Sequence, residues 1–248
     1  MDNRDGIYQE LHGGLLENIE AENRHSAETI LKMLFDIFQP NSVLDVGCGL
    51  GTWLSVAQKM NVSEIMGIDG SWLDKSRLRI DPDLVSIQDL EQPLEIGRKF
   101  DLVICLEVAE HLSSDAAPNF IDSLTNHGDI ILFSAAIPFQ GGSHHINEQF
   151  PDYWYSLFRE RDFEVIDFIR PQIWDDSSVL WWLSCCAFNL YNSCGQDART
   201  TRNNNIRIIG YSCVTAYSGM HLNEIQNLPK KTIHSHDFQL CSLFPAMH

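Results

Sequence analysis

The chain has 248 residues, 44% of them hydrophobic and 21% charged, which suits one α/β domain with embellishments and excludes a wholly disordered chain. Its 34 acidic residues against 17 Lys and Arg leave a formal charge of −17, a field that repels phosphate backbones and disfavours nucleic acid as a partner. Seven cysteines with no CxxC spacing read as reduced thiols of a cytoplasmic protein. Without an apolar leader-like run or a stretch of about 18 apolar residues, neither secretion nor membrane spanning is expected.

In chain order, residues 1 to 14, with Tyr8, His12 and the Gly13-Gly14 pair, read as a mobile lead-in. Leu15, Ile19, Ile30, Leu31, Leu34 and Phe38 then recur at helical intervals until Pro40, which predicts one or two helices. From residue 42 the chain alternates: strand "SVLDVG", helix "GTWLSVAQKM", strand "EIMGID", strand "DLVSIQ", strand "FDLVICLE", a helix near 113 to 125, and strand "DIILFSAAI". Such alternation predicts a parallel sheet covered on both faces. A helix opened by Pro151 runs to about 161, and "FEVIDFIRPQIW" and "SVLWWLSCCAFNLY" read as a closing antiparallel pair of strands.

"VLDVGCGLGTWL" sets Gly47, Gly49 and Gly51 at the junction of the first strand and its helix, where glycines allow a tight turn and close approach of backbone to a ligand. Asp69 ends the next strand, where a carboxylate accepts both hydroxyls of a ribose. With Asp45 preceding a G-x-G-x-G spacing, this stretch resembles motif I of the class I S-adenosylmethionine-dependent methyltransferases, over about residues 40 to 190. The resemblance implies a Rossmann-like, seven-stranded, mostly parallel sheet with a reversed last strand. It also implies S-adenosyl-L-methionine as cofactor, with Asp45, Gly47, Gly49 and Gly51 around the methionine moiety, Asp69 on the ribose, and Asp89 with Leu90 near the adenine. A loop Asp is equally a turn residue, so Asp89 carries both readings. The expected organisation is a helical lid segment over 1–40, a methyltransferase domain over 41–192, and an extension over 193–248 that packs on or caps the same domain.

"CLEVAEHLSS" places Glu107, Glu110 and His111 where the fourth strand ends, at the topological switch point of such a sheet, and one turn is expected to bring all three to a common point. "GGSHHINEQ" adds His144 and His145 from the loop after the fifth strand. Carboxylates and imidazoles are ligands for a divalent cation. The E-x-x-E-H spacing resembles the metal site of small-RNA 3′-terminal 2′-O-methyltransferases and of ubiquinone-pathway O-methyltransferases. That resemblance implies a metal held by Glu107, Glu110 and His111, with His145 the preferred distal ligand. Three readings stay open: a metal site, a metal-free site in which Glu107 lines the cofactor and His145 or His111 is the general base, and a structural role.

"GGSHHINEQFPDYW", "RPQIWDD" and "VLWW" resemble stretches of class I methyltransferases encoded beside glycan-assembly enzymes. This favours a small hydroxylated acceptor, a sugar or other natural product, which Asn147, Glu148, Gln149 and a Trp face would suit. Arg170 is read either as a contact to an anionic substituent or as a structural pair. The rival functions are methylation of another small acceptor and a non-catalytic cofactor-binding scaffold. Residues 193–248, including His234 and His236, are read as a cap, a homodimer contact or a tail.

Overall fold

The computed structural model describes the backbone of residues 13–186 and 188–192 and the side chains of residues 20–183. The lead-in residues Tyr8 and His12, the extension 193–248 with its two histidines, and the expected homodimer contact lie outside the described residues. A single helix, α1 (Gly13–Ile37), opens the description, starting inside the stretch read as lead-in. Then follow β1 (Ser42–Val46), α2 (Thr52–Lys59), β2 (Glu64–Asp69), β3 (Val85–Ile87), β4 (Leu102–Leu106), α3 (Ala117–His127) and β5 (Ile130–Ser134). Completing the order are α4 (Pro151–Arg159), β6 (Phe163–Ile166), α5 (Arg170–Ile173), α6 (Trp181–Cys186) and β7 (Phe188–Asn192). Among the described residues no helix is long and apolar enough to cross a membrane.

The strands lie in the order β3-β2-β1-β4-β5-β7-β6. Five of the seven strands, β3, β2, β1, β4 and β5, pair parallel, while β7 pairs antiparallel with both β5 and β6. Strand period explains the two cores. Val103 and Cys105 of β4 pack on one face with Phe120 and Leu124 of α3 and with Trp154 and Phe158 of α4. Leu102 and Ile104 pack on the other with Ile30, Leu31 and Leu34 of α1 and Leu54 and Val56 of α2. By the same alternation Asp45 faces the α1–α2 side, the only charged residue among the apolar ones of β1.

Two strand expectations need correction. "FEVIDFIRPQIW" is extended only to Ile166; Pro171 then sits in the first turn of α5, where its missing N–H costs nothing. Among the described residues of "SVLWWLSCCAFNLY" the strand takes only the last four, as the start of Phe188–Asn192. An unbroken apolar run does not by itself distinguish strand from helix. Here the amide of Leu180 donates to Ser26 Oγ (3.0 Å) and that of Leu183 to the Leu180 carbonyl (3.0 Å), so the ladder has no claim on them.

Trp154 is 1% exposed, packs against Phe133 at 5.6 Å between ring centroids, and has no hydrogen-bond partner for its indole N–H. Truncation to Ala should therefore cost about 3–5 kcal/mol, a fall in Tm on the order of 10 °C for a domain of this size. Trp154→Phe should cost distinctly less, because it also removes an orphaned donor. Thermal and urea unfolding of the two variants checks the order.

Candidate active site

β1 runs straight into the glycine turn. The amides of Gly47 and Cys48 both donate to the Ile68 carbonyl of β2, at 2.8 and 3.1 Å, folding the turn back over the sheet edge. Gly47 has φ of 80°, and a Cβ there would lie 2.2 Å from Val108 Cγ2, so only glycine lets the turn lie against the segment after β4. The carboxylate of Asp69 bridges this turn and its own: Oδ2 accepts from the Gly49 amide (2.6 Å) and Oδ1 from the Gly70 amide (2.7 Å).

The turn borders a cavity of about 220 Å³, walled by Asp45, Gly47, Gly49, Leu106 and Glu107, while Asp69 stands behind it, outside the wall, holding the Gly49 amide. Its roof comes from Asn23 of α1 and from Leu180, Trp182 and Leu183 in and before α6. The two roof elements are joined by the Ser26 bond to Leu180 and by His25 Nε2 to Ser178 Oγ, 3.0 Å. Asp45 is buried with Oδ2 unpartnered; burial, reinforced by the Asp69 charge, pushes its carboxyl up to about 8. Asp69 is also raised by burial, against the opposing pull of the Gly49 and Gly70 amides.

Past β4 the chain turns at Glu107, whose φ of 56° is left-handed, a conformation costing on the order of 1 kcal/mol for an L residue. The pairing of Leu106 with Ser134 explains how the turn is held. The Glu107 amide donates to the Ser134 carbonyl and hydroxyl oxygens (3.2 and 3.1 Å). Its carboxylate accepts from Ser134 Oγ (2.7 Å) and Gln140 Nε2 (3.0 Å). Burial raises Glu107, and those two hydrogen bonds and nearby His145 oppose the rise.

The short 3₁₀ turn Ala109–His111 then places Glu110 inward and His111 beside the loop after β5. That loop is pinned by its backbone: the amides of Ile146 and Asn147 donate to the Glu110 carbonyl at 2.9 and 3.0 Å. One ligand atom each from Glu110, His111 and His145 lies within 4.8 Å of the others. The imidazole rings of His111 and His145 meet edge-on, 4.9 Å between centroids. Glu110 is fully buried, and neither carboxylate oxygen has a hydrogen bond of good geometry, although the Ala136 amide and its own lean towards it. Burial, then the Glu107 charge, push it up to about 8. His111 is held below its ordinary value by burial and by His145, so its ring is neutral at pH 7.

A family model described as a methyltransferase domain matches residues 18–176. The chain belongs to the methyltransferase domain family. The methyltransferase draws its methyl group from S-adenosylmethionine. No curated protein matches it closely enough to count as a relative. Its fold is similar to that of DesVI from Streptomyces venezuelae, with a TM-score of 0.57 at 14% identity over 78% of this chain and 99% of that one. S-adenosylmethionine-bound CalS10, an amino pentose methyltransferase from Micromonospora echinaspora involved in calicheamicin biosynthesis, gives 0.55 at 13% identity, covering 74% and 99%. The methyltransferase domain of bacterial CtHen1-C gives 0.50 at 18% identity, covering 68% and 97%. At such identities the likeness is one of fold.

The sequence-predicted residues separate into groups. Asp45, Gly47, Gly49 and Glu107 share the cavity wall. Gly51 caps α2 from a left-handed conformation, outside that wall. Asp89 is exposed and spends its carboxylate on the Glu91 amide (3.0 Å) in a local turn, while Leu90 is core. Glu110, His111 and His145 converge, whereas Glu107 stands apart from that trio, turned towards Ser134 and Gln140. His144 is exposed and contributes its carbonyl to His111 Nδ1 (3.3 Å). Arg170 makes a two-pronged pair with Asp167, at 2.9 and 2.7 Å. Missed from sequence were Asn23, Ser134 and Gln140; none belongs to a motif, and only the strand register and loop path bring them in.

The raised Asp45 carboxyl has a consequence for stability. Between its unfolded value near 4 and its folded value near 8, the folded state holds a proton that the unfolded state has lost, so rising pH favours unfolding across that window. The cofactor-free methyltransferase should lose stability from about pH 5.5 to about pH 7.5, by at most about 1.4 kcal/mol per pH unit from this group. Urea titrations should show a shallower slope for Asp45→Asn.

Proposed function

We propose that the methyltransferase moves the methyl group of S-adenosylmethionine to a hydroxyl oxygen of a sugar or another small natural-product acceptor. The observation that carries this reading is the convergence of Glu110, His111 and His145 beside a cavity walled by Asp45, the glycine turn and Glu107. In this arrangement the methionine moiety lies along Asp45, Gly47 and Gly49, where a buried, unpartnered carboxyl oxygen suits an ammonium group. Asp69 holds the ribose hydroxyls, and α1 acts as a lid over the nucleoside. CalS10, similar in fold, is an amino pentose methyltransferase, which accords with a sugar acceptor. An RNA acceptor is disfavoured by the charge of −17. It is disfavoured also because Arg161 and Arg170 are engaged with Asp122 and Asp167, and Arg159 lies over the Tyr155 ring.

Methyl transfer to a hydroxyl forms an O–CH₃ bond, breaks the sulfonium S–CH₃ bond, and requires the hydroxyl proton to leave. His111 is neutral, and its Nδ1 is turned to the His144 carbonyl, which leaves Nε2 with a lone pair. His145 is similarly placed, with Nδ1 on Glu148. Either imidazole can take the proton, and the closed corner keeps the hydroxyl aligned while it does so.

The donor set also fits a divalent cation: a buried carboxylate with no hydrogen bond of good geometry on either oxygen, and two imidazoles. Glu110, His111 and His145 would hold it, with Glu107 alongside. Bound there, it would supply Lewis acidity that lowers the hydroxyl's pKa. The carboxylate behind the His145 ring suits both versions, because it holds the proton on Nδ1 whether Nε2 meets a hydroxyl proton or a cation.

Transfer of a labelled methyl group to a panel of glycosides and diols, with and without EDTA and after metal analysis of protein purified without chelator, tests the proposal. Glu110→Gln and His111→Ala should lose on the order of 100-fold in kcat while binding S-adenosylhomocysteine as the parent does. Normal turnover by both variants would sink the assignment of the corner; EDTA-insensitive turnover would select the metal-free version. Asp69→Ala should weaken S-adenosylhomocysteine by about 10- to 100-fold in calorimetry, the loss of a charge-assisted pair of hydrogen bonds.

A further inference from the structure

We infer that Glu148 is a positioning residue that fixes the tautomer and seat of the His145 ring. This rests on reading the Glu110–His111–His145 corner as the acceptor side of the methyltransferase. Glu148 uses both carboxylate oxygens: Oε1 meets His145 Nδ1 at 2.9 Å, and Oε2 accepts from the Phe139 amide at 3.0 Å. The second bond ties the carboxylate to the start of the same loop, so it cannot swing away from the ring without breaking a backbone contact. A carboxylate facing Nδ1 requires the proton on that nitrogen and leaves Nε2 as the ring's lone pair.

The ring is seated on two further sides. A Cβ at Gly142 would lie 2.3 Å from both Cε1 and Nε2 of His145, so the imidazole rests directly on glycine backbone, and Gly142 has φ of 151°. His111 closes the other side edge-on at 4.9 Å. Glu148 therefore sets the tautomer, and Gly142 and His111 set the plane. An unfixed ring would divide its time between two tautomers, only one of which presents Nε2 as an acceptor, and would also leave the seat that aligns this nitrogen, so turnover would fall through both the fraction and the alignment.

The tautomer is read directly from the ring ¹⁵N shifts of His145 in the S-adenosylhomocysteine-loaded full chain, with the signal assigned by its loss in His145→Gln. The parent should show Nδ1–H and unprotonated Nε2. Glu148→Ala should populate the Nε2–H form and lower kcat by about 10- to 100-fold, with KM and S-adenosylhomocysteine affinity within about twofold of the parent. Glu148→Gln, which keeps an oxygen for Nδ1–H but not a second acceptor for Phe139, should recover part of the loss. Gly142→Ala is an independent variant that displaces the ring without touching a charge, and should lower kcat in the same sense. An unchanged tautomer in Glu148→Ala would overturn the inference, as would a loss of cofactor affinity in step with kcat. The tautomer measurement needs no acceptor, so an absence of transfer to any glycoside by the parent would count against the proposed function and leave this result standing on its own.

Discussion

Four carboxyl groups, Asp45, Asp69, Glu107 and Glu110, are gathered at the ends of β1, β2 and β4, and among the described residues no Lys or Arg forms an ion pair with any of them. Water is largely excluded from all four, so each is satisfied by amides and hydroxyls or left without a partner. Concentrated acid of this kind is costly in the free protein, because ionising it in a low-dielectric setting opposes folding. The same arrangement is complementary to a ligand that brings positive charge, as a sulfonium with an α-ammonium does. Stability is given up at the place where binding needs it.

The architecture supplies what that arrangement requires. The parallel strands end together on one edge, so side chains distant in sequence meet there without any long excursion of the chain. The loop after β5 is then fixed to the turn after β4 by two amides on one carbonyl, that of Glu110. Glu110 thus serves twice: its backbone fastens the loop, and its side chain enters the corner that the loop completes. The chain turns at Glu107 through a left-handed backbone, and its carboxylate is held by Ser134 and Gln140, outside the trio but close enough for its charge to raise Glu110.

Much of this was legible in the residues, and the illegible parts share a cause. The glycine turn and Asp69 could be read because both depend on local spacing around a strand end. The alternation of strands and helices up to β5 followed from periodicity alone. Convergence in space was harder. E-x-x-E-H with His145 suggested four side chains at one point; Glu110, His111 and His145 do converge, while Glu107, at a turn of positive φ invisible in a one-letter code, is held by Ser134 and Gln140 outside the group. The apolar stretch before β7 carried no period to distinguish helix from strand, and the one amide that Ser26 of α1 takes up, that of Leu180, lies just ahead of its helix. Asp89 showed the opposite failure: its position in a motif invited a ligand role, while its carboxylate serves a four-residue turn.

The roof of the cavity has a bearing on how the chain reaches its active form. Asn23 and the stretch from Leu180 to Leu183 are joined through Ser26 and Leu180, partners 154 positions apart. A ribosome-bound chain that has emerged only as far as β5 has its glycine turn, its acidic edge and α1, but not the half of the roof that Leu180, Trp182 and Leu183 supply. Closing so long a loop carries a large entropic penalty until the intervening sheet has formed, which puts this junction late in the order of assembly. Completion of the cavity is in that sense a property of the finished domain.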